Sequence, residues 1–85
     1  MYIEDMNRQV IIEKLTPMVR EVFDNSELVL EDAMSPETVE GWTSLSFMQL
    51  LARIEGEFGF KFKIFELVSI RNIGNLIAAI EKHCE

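Results

Sequence analysis

The residue whose type and position could support chemistry is Ser44, in the stretch VEGWTSLSFMQLLARIEGEFGF that spans residues 39–60. A Gly-Trp turn precedes this serine and an apolar-patterned run follows it, so it stands where a helix is expected to begin. Serine acts as a nucleophile when a base activates its hydroxyl, and the only histidine, His83, is close to the C-terminus. Two roles remain open: a helix cap, or a hydroxyl to which another enzyme attaches a cofactor.

Thr43 bears on the choice between these two roles, because a threonine before the helix can already supply the capping oxygen. Ser44 would then occupy the first helical position, with its hydroxyl directed to solvent. A phosphodiester at that place would lie beside unpaired amides and the positive end of the helix dipole. The physical chemistry therefore permits a tether at Ser44 without requiring one.

The other reactive side chains do not form a recognisable site. His83 and Cys84 are adjacent rather than spaced as zinc ligands. Asp32, Glu37 and Glu40 share a loop but lack the alternating register of a calcium-binding loop. We therefore expect neither an enzyme nor a metal site. We expect His83 to be a surface residue that complements the C-terminal dipole of the last helix.

The composition predicts a single small domain over residues 1–85. Hydrophobic residues make up 48% of the chain, too many for a disordered acidic tail despite a net charge of −7. One cysteine excludes an intramolecular disulfide and suits a reducing compartment. We expect a cytoplasmic monomer without a membrane span, since the N-terminus lacks the pattern of a signal peptide and no apolar run approaches about 20 residues. A pI near 4.6 argues against a nucleic-acid partner.

The acidic residues are concentrated in the middle of the chain. Residues 21–57 contain nine acids against Arg53 alone, whereas the flanking thirds are close to neutral. Such a field would attract basic surfaces of partner proteins and accelerate their docking. The alternative is a face that only keeps the protein in solution.

The elements that must position Ser44 are helices. The first amphipathic pattern runs from Met6 to Phe23. Pro17 interrupts it, so we expect a kink near residues 13–17 or a restart with Thr16 as cap. A long ordered loop follows over residues 27–43, and Trp42 is expected to pin it to the core rather than bind a ligand. Four more apolar residues could do the same: Leu28, Leu30, Met34 and Val39.

The second helix is predicted from about Ser44 to Phe58, with Gly59 as its stop. Its buried stripe comprises Leu50, Leu51, Ile54 and Phe58, with Phe47 alongside. The alternation in FKFKIFELVSI taken alone indicates a strand, but the sequence offers no second strand to pair with it. We therefore expect an extended connection and a short third helix near Ile64–Val68.

The last helix is predicted to begin after Asn72 as cap. Its apolar stripe comprises Ile73, Leu76, Ile77 and Ile80. The fold class predicted from these patterns is an all-α bundle with a long loop after the first helix.

Several segments together resemble the acyl carrier proteins. Thr-Ser-Leu at residues 43–45 is similar to the Asp-Ser-Leu motif of that family, whose serine receives 4′-phosphopantetheine from coenzyme A. The run SFMQLLARIEGEFGF resembles the family's second helix through its Glu-Phe-Gly ending, and NIGNLIAAIEKH resembles its closing pattern. The resemblance extends over essentially the whole chain.

The resemblance implies a four-helix bundle of acyl-carrier type, in which a short third helix follows the second helix. In the family, the second helix is the one that faces partner enzymes. It implies 4′-phosphopantetheine on Ser44, whose thiol, rather than Cys84, carries acyl or aminoacyl intermediates as thioesters. It also implies partners: a phosphopantetheinyl transferase and the enzymes that load and transfer cargo. The positions corresponding to the partner-facing surface are Thr43, Leu45, Met48 and Gln49, with Glu55 further along the helix. Cargo would lie near Phe47, Leu51 and Phe62, which are equally well explained as core residues.

Two departures from the family pattern have consequences. Thr43 replaces the aspartate that contacts the modifying transferase in the family, so slower or more selective modification is expected. Ser46, Gln49 and Gly56 stand where acids are common, and Arg53 adds a positive charge. We therefore expect a carrier dedicated to a specialised biosynthetic pathway, such as polyketide, nonribosomal peptide or cell-surface polysaccharide modification. The alternative is an unmodified helical adaptor of the same fold that binds basic partner proteins.

Overall fold

The computed structural model describes residues 7–84, and four helices follow one another in this range. They are α1 (Arg8–Val22), α2 (Ser44–Phe58), α3 (Ile64–Ser69) and α4 (Ile73–His83). Residues 7–84 contain no strand. The predicted all-α bundle, with its long first loop and short third helix, is confirmed. Met6, the predicted first residue of α1, lies outside the described residues.

Helix α1 continues through Pro17 without a break, so the expected restart at this point is wrong. Thr16 is not a cap, because its hydroxyl donates a hydrogen bond to the Ile12 carbonyl at 2.7 Å from inside the helix. A proline inside a helix costs about 3 kcal/mol. Burial on both sides of the proline offsets this cost, since Leu15 and Val19 are fully enclosed.

The core is built from α1, α2 and α4. Burial of each leucine or isoleucine stabilises the fold by about 1.5–3 kcal/mol. The fully enclosed side chains are Ile11, Leu15, Val19, Leu50, Ile54, Ile73, Leu76, Ile77 and Ile80. The predicted stripes of the second and last helices are confirmed, with Phe58 half-buried at the end of its stripe. Helix α3 buries none of its side chains.

The long loop is attached to the core as predicted. Trp42 and Leu28 are buried, and the Trp42 ring stacks on Phe23 with centroids 5.4 Å apart. The other predicted anchors are half-buried against the core: Leu30, Met34 and Val39. The loop also binds the start of α4, because the carbonyls of Met34 and Asp32 accept hydrogen bonds from the first two amides of that helix.

Gly59 ends α2 in the left-handed conformation, with φ of +77°. The chain then runs extended to Lys63, and Asn72 caps α4 by accepting a hydrogen bond from the Asn75 amide at 2.7 Å. The predicted stop of α2, extended connection and cap of α4 are confirmed.

His83 lies in the last turn of α4, as the predicted dipole role requires, but the prediction that its side chain is on the surface is wrong. Its imidazole stacks on Phe60 with centroids 4.2 Å apart, and its Nε2 lies 2.8 Å from a carboxylate oxygen of Glu66. The side chains of His83 and Glu66 are only 20% and 15% exposed. Because α3 has no fully buried side chain, these links to α4 hold it in place together with the half-buried Leu67.

Over residues 7–84, no helix is both long enough and apolar enough to cross a membrane.

Candidate functional site

The start of α2 is held by two hydroxyl groups that cap each other's backbone. Thr43 Oγ1 accepts a hydrogen bond from the Ser46 amide at 3.1 Å, and Ser46 Oγ accepts one from the Thr43 amide at 2.8 Å. Ser46 Oγ also donates to the Gly41 carbonyl at 2.7 Å. This reciprocal arrangement is a capping box. The prediction that Thr43 caps the helix is confirmed.

Ser46 is the residue at this site that the sequence reasoning missed. In the sequence it stands out only as a position without an acidic side chain, whereas in the structure it is 8% exposed and completes the cap. The signal was present, because a hydroxyl residue three positions after Thr43 has the spacing of a capping box. That motif usually has Glu or Gln in the second position, which made the serine easy to overlook.

Gly41 shapes the turn that precedes the cap. Its φ is +94°, and a Cβ at this position would lie 2.7 Å from the Phe23 carbonyl oxygen. A side chain is therefore excluded there both by strain and by space. The close approach holds the Gly41 carbonyl where Ser46 binds it.

Ser44 is left at the first position of α2 with an exposed side chain. Because Thr43 and Ser46 form the cap, the helix does not need the Ser44 hydroxyl, and that hydroxyl has no hydrogen-bond partner within residues 7–84. It can therefore be substituted without loss of the helix start.

The surroundings of Ser44 suit an anionic group. The first turn of α2 contains no acidic residue, and the amides of Ser44 and Leu45 find no acceptor among the described residues. The contrast with α4 is informative, because the first amides of that helix are occupied by carbonyls of the loop. Free amides and the positive end of the helix dipole favour a phosphate at the start of α2.

An apolar surface lies directly beside Ser44. Leu45 and Met48 are each 67% exposed although both side chains are large and hydrophobic. Gln49 is exposed as well, and its spacing from Leu45 places the two on one face of the helix. Exposed apolar side chains grouped in this way are typical of surfaces that bind partners.

Glu55 stands apart from that group. It follows Ser44 by about 16 Å along the helix axis at 1.5 Å per residue. Its carboxylate is half-buried and accepts a hydrogen bond from the Phe62 amide at 2.9 Å, with Lys61 Nζ at 4.0 Å from its second oxygen. Glu55 therefore holds the connection between α2 and α3.

The structure also shows the surroundings of Arg53 and of the three residues near which cargo was expected. Arg53 forms an ion pair with Glu21 of α1, so its charge is shared with another helix. Leu51 is buried, and Phe47 and Phe62 are half-buried against the core.

Cys84 does not offer a reactive thiol near neutral pH. The residue is half-buried after the end of α4, and burial raises the pKa of its thiol above the ordinary value of 9.0. The thiolate is the nucleophilic form of cysteine, so a raised pKa lowers its reactivity.

Comparison with known proteins places this site in a family context. The family model described as a phosphopantetheine attachment site matches residues 13–80, a range that includes Ser44 and all of α2. The chain is also similar to the holo acyl carrier protein of Geobacter metallireducens, whose structure was solved by NMR in solution. The two are 35% identical with a TM-score of 0.78, and the match covers 85% of this chain and 83% of that one. None of the curated proteins matches this chain significantly.

Proposed function

Since this chain belongs to the acyl carrier protein family of phosphopantetheine-binding proteins, we propose that its prosthetic group is attached to the hydroxyl of Ser44. Proteins of this family are carriers rather than enzymes, and the chain is a carrier with a phosphopantetheine group. When bound, 4′-phosphopantetheine supplies a thiol on which acyl or aminoacyl cargo is held as a thioester.

The observation that carries this proposal is the division of roles at the start of α2. Thr43 and Ser46 perform the capping, and Ser44 keeps an exposed hydroxyl that the fold does not use. The phosphate would lie where the Ser44 and Leu45 amides point, next to the positive end of the helix dipole. The residues present therefore fit the group.

The surface beside Ser44 supports docking of the enzymes that modify and use the carrier. We assign this role to Leu45, Met48 and Gln49, with Thr43 at the edge nearest to the hydroxyl. Docking would bury the exposed apolar area of Leu45 and Met48. Each Å² of apolar area removed from water contributes about 25 cal/mol of favourable free energy. Glu55 lies further along α2, so it would contact only a partner that extends past Gln49 to the α2–α3 connection.

A specialised pathway is supported by the weak acidity of the exposed part of α2. Ser46 is committed to the cap, Gln49 and Gly56 are exposed but uncharged, and Arg53 is paired with Glu21. Partners that select carriers by an acidic helix would find few contacts here. We therefore infer a carrier with dedicated partner enzymes.

Intact mass spectrometry tests the attachment residue. The chain is incubated with coenzyme A and a broad-specificity phosphopantetheinyl transferase, together with the variants Ser44→Ala and Ser26→Ala. Ser26 is an exposed serine in the loop and serves as the matched control. The wild type and Ser26→Ala should each gain one phosphopantetheine, and Ser44→Ala should gain none. Modification of Ser44→Ala would refute the assignment.

A further inference from the structure

A concave surface lies between α3 and α4. It is a cleft of about 660 Å³. None of its lining residues belongs to α2, so it is separate from the surface beside Ser44. The residues that define the α3–α4 cleft for this argument are Lys63, Phe65, Ala78, Ala79 and Lys82.

The walls of the α3–α4 cleft combine apolar and small side chains. Phe65 is 68% exposed, and Ala78 is exposed on the facing helix. Alanines on one side allow the backbone of another chain to approach closely, and the aromatic ring on the other side offers a large contact area. Helix α3 exposes three large apolar side chains, Ile64, Phe65 and Val68, and Phe65 is the one that lines the cleft.

The charge of the cleft is opposite to that of the molecule. The chain has a net charge of −7, and within residues 7–84 most of its bases are already bound. Four bases form ion pairs with carboxylates: Arg8, Lys14, Arg53 and Lys61. Arg20 donates to the Leu28 carbonyl instead.

Three bases have neither a carboxylate within 4.0 Å nor a carbonyl partner like that of Arg20, among the residues that the structure describes: Lys63, Arg71 and Lys82. Two of these line the α3–α4 cleft. Lys63 Nζ lies 5.8 Å from the centroid of the Phe65 ring, so a cation and an aromatic face are presented together.

The cleft's own carboxylate does not neutralise this charge. Glu66 is the one acidic residue in the lining that the structure describes, and it accepts hydrogen bonds from His83 and from the Lys63 amide. Its oxygens are thus engaged by α3 and α4. The lysines remain available to an external anion.

We propose that the α3–α4 cleft binds an amphipathic helix of a partner protein, with apolar side chains against Phe65 and the alanines and carboxylates against the two lysines. A trough between two helices is the geometry in which helices dock by their apolar face. The two lysines of the cleft favour a partner helix that has carboxylates at its flanks. A membrane is disfavoured, since the flat surface of a bilayer does not fit a concave cleft.

This interaction leaves Ser44 accessible. Because α2 contributes nothing to the cleft, a partner bound there does not cover the attachment site. The apo and phosphopantetheinyl forms of the chain should therefore bind the same helix with equal affinity. The inference does not depend on which serine is modified.

The test is an NMR titration of the full chain with a synthetic amphipathic helix that has leucines on one face and glutamates on its flanks. Amide shifts of Phe65, Ala78 and Ala79 should change, while those around Ser44 stay constant. Lys82→Glu replaces an attraction with a repulsion and should weaken binding roughly tenfold. Arg71→Glu is the matched control, because it makes the same charge change outside the cleft and should bind like the wild type.

Four results would overturn the proposal. The first is unchanged shifts in α3 and α4 with the acidic peptide. The second is equal binding of a peptide in which lysines replace the glutamates. The third is binding of the chain to vesicles of anionic phospholipid through these residues, which would point to a membrane. The last is self-association that perturbs the cleft amides as protein concentration rises, which would point to a second copy.

Discussion

At the scale of single residues, the start of α2 shows how neighbouring hydroxyl groups take different roles. Thr43 and Ser46 face the backbone and each other, while Ser44 faces solvent. A capping side chain contributes about 1 kcal/mol to stability, because it satisfies an amide that the helix leaves unpaired. A solvent-facing hydroxyl contributes almost nothing to stability. It is the one available for modification.

Substitution of each hydroxyl residue separates these roles. Thr43→Ala and Ser46→Ala should each lower the free energy of unfolding by about 1 kcal/mol, because each removes half of the capping box. Ser44→Ala should change it by less than about 0.5 kcal/mol, as expected for an exposed site. Urea unfolding of the apo protein measures all three. A loss for Ser44→Ala as large as that for Thr43→Ala would show that the cap is wrongly assigned.

Thr43 also bears on the rate of modification. The family resemblance places a carboxylate at this position in contact with the transferase, and Thr43 lacks it. Thr43→Asp should therefore increase the rate of phosphopantetheine transfer by a broad-specificity transferase. Thr43→Asn is the control, since asparagine caps a helix as well as aspartate does but carries no charge. Equal rates for the wild type and Thr43→Asp would contradict the claim that the missing carboxylate at position 43 slows modification.

At the scale of elements, α3 is held differently from the other helices. It has six residues and no fully buried side chain, so only the half-buried Leu67 packs it against the core. Glu66 instead accepts hydrogen bonds from the Lys63 amide, at the start of the helix, and from His83 of α4. The imidazole in turn stacks on Phe60. One carboxylate therefore both caps α3 and attaches it to α4.

Acidification should release this link. The hydrogen bond from the Lys63 amide, and then that from His83, lower the pKa of Glu66 below its ordinary value of 4.5. A lowered pKa in the folded state means that the stabilisation is fully present above 4.5 and is lost as the pH falls through the folded value. Hydrogen exchange of the α3 amides should thus become faster relative to α4 at pH values below 4.5.

Glu66→Gln provides the comparison for this pH effect. Glutamine keeps an oxygen for the Lys63 amide but carries no charge, so α3 in the variant should exchange faster near neutral pH. The difference between variant and wild type should disappear only as the pH falls through the lowered pKa of Glu66, below 4.5. Glu37→Gln, in the exposed part of the loop, is the control. A difference that persists unchanged to low pH would contradict the assigned role of Glu66.

The elements that the sequence predicted well are those with local signals. Thr43, Gly59 and Asn72 mark helix boundaries through contacts within a few residues, and the structure has all three boundaries where they were expected. The restart predicted at Pro17 is wrong because burial on both sides of the proline outweighs its local cost. His83 was misjudged because its partners, on α3 and the preceding connection, become neighbours only after folding.

At the scale of the whole molecule, charge is distributed in two unlike regions. Residues 21–57 have nine acids and one base, and they surround Ser44 in sequence. The bases left unpaired within residues 7–84 include the two lysines of the α3–α4 cleft. The carrier thus combines an acidic middle segment of the chain with a separate cleft that presents two lysines.

Salt should stabilise the fold as a consequence of this excess of acid. Screening by salt weakens surface ion pairs such as that of Lys14 with Glu57. Repulsions among carboxylates are more numerous, so their weakening has the larger effect on stability. The melting temperature should therefore rise between low and moderate ionic strength. An unchanged or falling melting temperature would show that the acids are too far apart to repel one another.

The most direct measurement is peptide mapping by tandem mass spectrometry of the protein isolated from the cells that make it. We predict phosphopantetheine on the peptide that contains residues 43–46, with fragment ions that locate it on Ser44 and not on Ser46. A phosphopantetheine on any other residue, or a Ser44 peptide that is entirely unmodified, would contradict the assignment of Ser44 as the attachment site.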